Sequence, residues 1–280
     1  MHVTFWLTKG SPKEKALHLP RANLHLFQSL IYRILPPDQA AFLHEEGYDS
    51  HGKKLKLFAM SWPMASCLPA FDRSLIRFPL PVRLTVSSPL LAVASALANG
   101  VMEAGTLRLG KNKLSCDRVE LTRNHAQGES LTVRTLSPVT CYEVMTRRGR
   151  PYTVYFRPDD REFAPFINAN LKRKFSALFP DRPPPAGDVR VTPLDIRERV
   201  AFYRPDMSCP IKGWDGVFRL DGPEELLQTA LDCGLGGKNS SGWGCVTPAE
   251  GKWAHSQSYD VIHKGSEKHE QDHDGDDLWD

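Results

Sequence analysis

Residues 234 to 244 read Gly-Leu-Gly-Gly-Lys-Asn-Ser-Ser-Gly-Trp-Gly, so that two Gly-hydrophobic-Gly pairs flank a segment holding Gly237, Lys238, Asn239, Ser240 and Ser241. Glycine lets a backbone take positive φ and come close to a ligand. Successive N–H groups in such a loop can form a concave anion site, here beside the Lys238 charge. The loop lies between a helical stretch (223 to 233) and a strand-like one (243 to 247), an order of helix, glycine loop, strand. Nucleotide-binding loops run the other way, from strand to helix. Gly237-Lys238-Asn239 lacks the hydroxyl residue of a P-loop, and Asn239 stands where a dinucleotide fingerprint needs glycine. A flexible connection is the plain alternative, and the regular glycine spacing argues against it. A second motif misleads. His269-Glu270-Gln271-Asp272-His273 fits H-E-x-x-H, but it sits in an acidic segment, whereas a zinc-protease site needs a buried helix and a third ligand. No metal site and no cofactor are expected, beyond weak adventitious binding by His263, His269 and His273.

The elements that must position the loop follow from periodicity. Val3, Phe5 and Leu7 alternate with polar neighbours, a strand pattern. Leu24, Phe27, Leu30, Ile31, Ile34 and Leu35 recur at helical spacing and stop at Pro36-Pro37. Asp38 caps a short helix through Glu46, residues 47 to 53 form a polar loop, and 55 to 62 read as strand. Residues 82 to 86 are strand, 89 to 102 a helix capped by Ser88, and 107 onwards strand again. That is β-α-β-β-α-β. The pattern recurs with strands over 139 to 145 and 152 to 156, a helix over 161 to 178, strands over 189 to 194 and 216 to 220, and a helix over 224 to 233. Residues 243 to 247 complete it.

Composition narrows the class. A chain of 280 residues with 41% apolar and 25% charged residues is globular, with no apolar run of transmembrane length. Its start, Met1-His2-Val3-Thr4-Phe5-Trp6-Leu7, lacks a basic region and a cleavage site, so a cytoplasmic location is expected and no membrane partner. The six cysteines contain no C-x-x-C pair. The net charge of +3 hides an asymmetry: residues 266 to 280 hold seven acids and one base, and the rest carries 35 bases against 26 acids, about +9. Such a body favours a polyanion. Basic clusters at Lys53-Lys54-Lys56, Arg147-Arg148-Arg150 and Lys172-Arg173-Lys174 offer phosphate contacts, although the last fits a solvated helix face equally well.

Gly-h-Gly-x5-Gly-h-Gly resembles the glycine-rich signature of the RAMP superfamily of CRISPR RNA-binding proteins. Leu19-Pro20 leads into Leu26-Phe27-Gln28-Ser29-Leu30-Ile31-Tyr32, followed by Phe42-Leu43-His44-Glu45 and Lys56-Leu57-Phe58. With Thr135-Leu136-Ser137-Pro138 and Gly213-Trp214, this series is similar to the CRISPR-associated endoribonuclease family that cuts the precursor transcript within its repeats. The resemblance covers roughly residues 1 to 248. It implies an α+β protein of two tandem ferredoxin-like (RRM-like) domains, which the element order reaches separately. Residues 1–137 would carry the catalytic residues and 138–254 the glycine loop, before an acidic disordered tail at 255–280.

The resemblance also implies a reaction: metal-independent attack of a ribose 2′-hydroxyl on the adjacent phosphate, leaving 2′,3′-cyclic phosphate and 5′-hydroxyl ends. That reaction needs a base, an acid and a cation for the phosphorane charge. Histidine suits the first two because its ordinary pKa, about 6.5, lies near working pH. His44 matches the family's active-site histidine, the alternative being a helix-end histidine bonded to the last carbonyls. Tyr32 matches the tyrosine of a Tyr/His/Lys set, or is a packed aromatic. Lys56 would be the cation, with Lys54 open as a substitute on the same strand face and His51 as a weaker second acid or base. Gly234, Gly236, Gly237, Lys238, Asn239, Ser240, Gly242, Gly244 and Lys54 would hold RNA. The implied partner is CRISPR repeat RNA in the precursor transcript; an effector complex and a homodimer are further partners the family allows. The rival reading is a RAMP subunit that binds guide RNA without cutting it.

Overall fold

The computed structural model describes residues 1–9, 14–50, 52–72 and 74–249. His51, the expected acidic tail at 255–280 and its H-E-x-x-H motif lie outside those residues.

The alternating apolar residues of the first strand, His2–Thr8, bury Val3, Phe5 and Leu7. This strand pairs antiparallel with Val82–Ser87 on one side and Asn112–Thr122 on the other. Ala59–Met60 extends the sheet beyond Val82–Ser87, and Leu107–Leu109 extends it beyond Asn112–Thr122. Helix α1 (Leu24–Ile34) buries Leu24, Phe27, Leu30, Ile31 and Ile34, the face its spacing dictates. It stops because Leu35, preceding Pro36, is driven to extended backbone (φ −69°, ψ 150°). A short helix α2 (Pro37–Ala41) follows. Helix α3 (Leu91–Ala104) begins two residues later than the sequence suggested, after Ser88 Oγ accepts the Leu90 N–H at 3.2 Å. Val93, Ala94, Leu97 and Val101 join the same core.

The second sheet runs in the order Arg190–Ala201, Ile211–Asp221, Ser130–Thr135, Val246–Pro248. Its core is covered by α4 (Phe163–Leu178) and α5 (Glu224–Cys233), through Phe163, Ile167, Leu171, Leu226, Leu227 and Leu231. The sheets divide earlier than the boundary near residue 137: Ser130–Thr135 lies in the second sheet, paired with Ile211–Asp221 and Val246–Pro248. The segments expected as the second unit's opening strands instead pair with each other, Tyr142–Arg147 with Arg150–Tyr155. Local alternation reads strand equally well in both cases. Only pairing partners distinguish a sheet member from a projecting ribbon.

The two halves meet over packed apolar surface. Leu24 and Trp62 from the first half cluster with Ile211 and Trp243 from the second. The two indoles meet edge-on at 5.6 Å, a geometry favoured by the ring quadrupoles. Leu57 clusters with Ala177 and Cys233. No helix among the described residues is long and apolar enough to cross a membrane.

Candidate active site

The short helix after Pro36 changes character at its end. Phe42–Glu46 winds as a π-helix, closed by the Gly47 N–H donating to Phe42 O at 2.7 Å. Such wide turns are rare and occur often at functional sites. Leu43 anchors the turn in the core while His44, Glu45 and Glu46 are exposed. Gly47 takes φ 66°, and a Cβ there would lie 2.7 Å from Leu55 O. Glycine is therefore what lets the next hairpin, Tyr48–Ser50 with Lys53–Leu55, fold back against the helix end.

That return brings the lysines to the histidine. Lys56 Nζ donates to His44 O, and Lys54 Nζ donates to Glu45 O at 3.3 Å. The helix-end carbonyls are thus met by lysines, which favour the negative end of a helix dipole. The imidazole of His44 instead meets the ring of Tyr32 edge-on at 5.4 Å. Tyr32, His44 and Lys56, spread over 25 residues of sequence, form one cluster. The strand expected over 55 to 62 is interrupted: Leu57 takes φ 50°, and pairing resumes only at Ala59–Met60. Lys56 therefore lies past the hairpin strand, and Lys54 and Lys56 do not share a strand face. A non-glycine residue at positive φ costs on the order of 1–3 kcal/mol, and this one, with its buried side chain, directly follows the Lys56 ammonium's own residue.

The electrostatics give the groups different roles. Burial, with a smaller contribution from Tyr203, pushes the Tyr32 phenol up to about 12. Tyr32 therefore keeps its proton through neutrality. Burial, then the charge of Lys54, lowers Lys56 from the ordinary lysine value. If the chain cleaves RNA as its resemblance implies, Lys56→Ala should slow that cleavage by about 10²-fold, the usual worth of one transition-state donor, and Lys54→Ala by less than tenfold. Single-turnover rates of the two variants check this assignment.

The glycine loop closes the gap between the halves. Gly234, Gly236, Gly242 and Gly244 take φ of 78°, 66°, 92° and 70°, and Lys238 takes 57°. Much of its hydrogen bonding is internal: Leu235 N to Gly244 O at 2.8 Å, Gly244 N to Pro138 O at 2.8 Å, and Gly237 N to Thr140 O at 2.9 Å. The Asn239 amide turns inward to Leu235 O (2.9 Å) and Trp243 O (3.0 Å). From the first half, the Trp62 indole N–H reaches Gly242 O at 2.7 Å and Gln28 Nε2 reaches Ser240 O at 2.9 Å. The buried glycines thus build the joint, and Gly237, Lys238, Asn239 and Ser240 face a cleft.

That cleft, about 710 Å³, runs between the lysine hairpin, α4 and the loop. Six cations line it (Lys53, Lys54, Lys56, Arg173, Lys174, Lys238) against one carboxylate, Glu143. The Lys172-Arg173-Lys174 cluster is not a uniformly solvated face. Lys172 pairs with Asp188 at 2.7 Å, while Lys174 is buried and donates to Gly234 O (2.7 Å) and Gly236 O (3.2 Å). Burial lowers Lys174 to about 8. Arg147 and Arg150 end the projecting ribbon, whose tip is Arg148 and Gly149 at positive φ.

Sequence reading missed Tyr203, whose hydroxyl donates to Gln28 Oε1 and links the second half to the helix bearing Tyr32. No local signal marks it, because tertiary packing alone brings it there. Gln28 lies four residues before Tyr32, one turn along the same helix face; that spacing was the available clue.

Fold and site together define an α+β protein of two halves around a basic cleft. A RAMP protein described as binding different RNA substrates superposes with a TM-score of 0.73 at 19% identity, over 89% of this chain and all of that one (100%). A Cas6-related protein of Pyrococcus furiosus superposes with a TM-score of 0.75 at 16% identity, over 89% of this chain and 98% of its own. At such identities the likeness concerns the fold. Sequence carries the likeness further: residues 121–248 match the family model described as CRISPR associated protein Cas6, C-terminal. The chain is 28% identical over 249 residues to the CRISPR-associated endoribonuclease Cas6 of Pyrococcus furiosus, covering 84% of this chain and 85% of the relative. It is 25% identical to the CRISPR-associated endoribonuclease Cas6 1 of Methanocaldococcus jannaschii, covering 60% and 64%. The resemblance to the repeat-processing CRISPR ribonucleases therefore stands.

Proposed function

We propose that this protein is an endoribonuclease that cleaves CRISPR repeat RNA in the precursor transcript to release guide RNAs. The observation that carries this reading is the meeting of Tyr32, His44 and Lys56 at one helix end, beside a cleft lined by six cations. In the proposed reaction a ribose 2′-oxygen attacks the adjacent phosphorus and the bond to the 5′-oxygen breaks. His44 takes the 2′ proton. Tyr32, protonated at neutral pH, supplies a proton or hydrogen bond to the departing oxygen. Lys56 neutralises the charge that gathers on the phosphoryl oxygens. The products are a 2′,3′-cyclic phosphate and a 5′-hydroxyl. These three groups supply the base, the acid and the cation of the step, which is why a metal-independent course is proposed.

Two tandem ferredoxin-like units support the site in this reading. Each sheet places its fourth strand beside its first, then its third and second, when strands are counted along the corresponding β-α-β-β-α-β series. The proposed units are residues 1–122 and 130–249, with the catalytic set on the first and the glycine loop on the second.

Cleavage of the repeat RNA is expected to persist in excess EDTA. A repeat with 2′-deoxy at the scissile nucleotide should bind with unchanged affinity and stay whole. Cutting of that analogue would exclude the 2′-hydroxyl as nucleophile, and tight binding with no cutting of the all-ribose repeat would favour the RAMP subunit that only holds RNA. Tyr32→Phe should lower the rate about 10²-fold without altering the shape of the pH–rate profile between pH 6 and 9. The phenol titrates only near 12, so its loss removes a donor and not an ionisation within that window.

A further inference from the structure

The cleft holds a group that neither the fold nor the proposed reaction uses. Asn170 lies on α4, 8% exposed as a residue, and its Oδ1 is sealed from solvent without a hydrogen-bond donor. Asn168, two residues earlier, shows what a structural asparagine does here: Nδ2 donates to Ala164 O and Val189 O, and Oδ1 accepts the Val189 N–H at 2.7 Å. Buried polar atoms are almost always paired, so an orphan in a cleft wall invites a ligand donor. Asn170 shares its helix face with Phe166, one turn earlier, and Arg173 and Lys174, one turn later, all lining the cleft. Phe166 is half-buried, and its ring lies 6.0 Å from that of Tyr142. Lys238 Nζ sits 4.6 Å over the same Tyr142 ring.

Half-buried aromatic rings, a side-chain amide and surrounding cations together match one ligand chemistry. Rings stack an unpaired base, the amide reads its edge, and the cations take the flanking phosphates. An amide offers a donor and an acceptor side by side, the complement of adenine, which presents an amine next to a ring nitrogen. To read a base, the Asn170 amide must turn about its soft terminal torsion so that Oδ1, sealed from solvent in this structure, reaches the cleft.

We propose that this cleft is a nucleobase site, in which an unpaired adenine of the RNA packs on Phe166 and Tyr142 and is read by the Asn170 amide. The inference rests on the ribonuclease reading for its ligand class, and it makes Asn170 a specificity-determining residue distinct from the Tyr32, His44 and Lys56 cluster.

The test uses the full chain and four labelled 12-mers, all-uridine or carrying a single central adenosine, cytidine or guanosine, with affinity read by fluorescence anisotropy. The adenosine oligonucleotide is expected to bind about 5- to 10-fold tighter than the others, consistent with one base-edge contact. Asn170→Ala should bring all four to the same affinity, and Phe166→Ala should weaken all four about tenfold through lost stacking. Should Asn170→Ala fail to fold, Asn170→Asp, of the same shape but without the donor, must lose the adenine preference. In a second readout, 2-aminopurine at the central position should be quenched on binding wild type and much less on binding Phe166→Ala. A wild type that ranks the four oligonucleotides equally, or an Asn170 variant that keeps the adenine preference, overturns the proposal. If the chain cuts its repeat RNA yet shows either result, only the base site fails; if it binds none of these RNAs and cuts none, the ribonuclease reading falls with it.

Discussion

His44→Ala is expected to lower single-turnover cleavage of the repeat RNA by roughly 10²–10⁴-fold, the usual worth of a general acid or base. RNA affinity should stay within about twofold, because an exposed imidazole contributes little to the basic cleft that attracts the phosphates. The local structure should survive the change. His44 is held in the chain by its backbone: its carbonyl accepts from Lys56, and the neighbouring Leu43 fills the core. Neither contact uses the imidazole. Circular dichroism and thermal melting of the variant should therefore match wild type, which separates a chemical loss from a folding loss. A rate within a few-fold of wild type would remove His44 from the mechanism and leave His51 to be tested as the proton acceptor.

Gly244→Ala should be the most damaging single change in the glycine loop. The residue has φ 70°, and an added Cβ would stand 1.8 Å from Leu235 O and 2.8 Å from Asn239 Nδ2. The Leu235 oxygen cannot move away without breaking its bond from Asn239, and Gly244 is itself tied to Leu235 N and Pro138 O. Strain and overpacking together should cost about 3 kcal/mol or more. Gly128→Ala is the control: φ is 70° there too, but nothing lies within 4 Å of an added Cβ, so the cost should be about 1 kcal/mol. Urea denaturation measures both. RNA affinity of Gly244→Ala should also fall at least tenfold, since the loop bonds to Trp62 and Gln28 hold the first half against the second. Equal stability losses in the two variants would mean that the loop does not depend on the close approach of its two Gly-hydrophobic-Gly pairs.

Periodicity determined the local elements because it reports which face of each segment must leave water. Helix α1 runs over the residues its apolar spacing indicates and stops where Pro36 forbids the preceding residue a helical backbone. Helix α5 matches its expected span, and α4 differs by two residues at its start. Types and spacing of residues also singled out the glycine loop and the Tyr32, His44 and Lys56 series, whose roles are proposed. Glycine at set intervals is a backbone requirement, and a resemblance carried by motifs survives without coordinates.

Tertiary structure decided what depends on partners distant in sequence. Alternation could not say whether Tyr142–Arg147 joins a sheet or projects as a ribbon, nor that Ser130–Thr135 pairs with Ile211–Asp221 across about 80 residues of chain. Charge could not say that Lys174 turns inward to the carbonyls of Gly234 and Gly236 while Arg173, one residue earlier, lines the cleft. Spacing could not separate Lys54 from Lys56, because the positive φ of Leu57 breaks the strand on which both were expected. Sequence fixes what each segment buries; which buried faces meet, and which polar groups are thereby left to act, is a property of the packed chain.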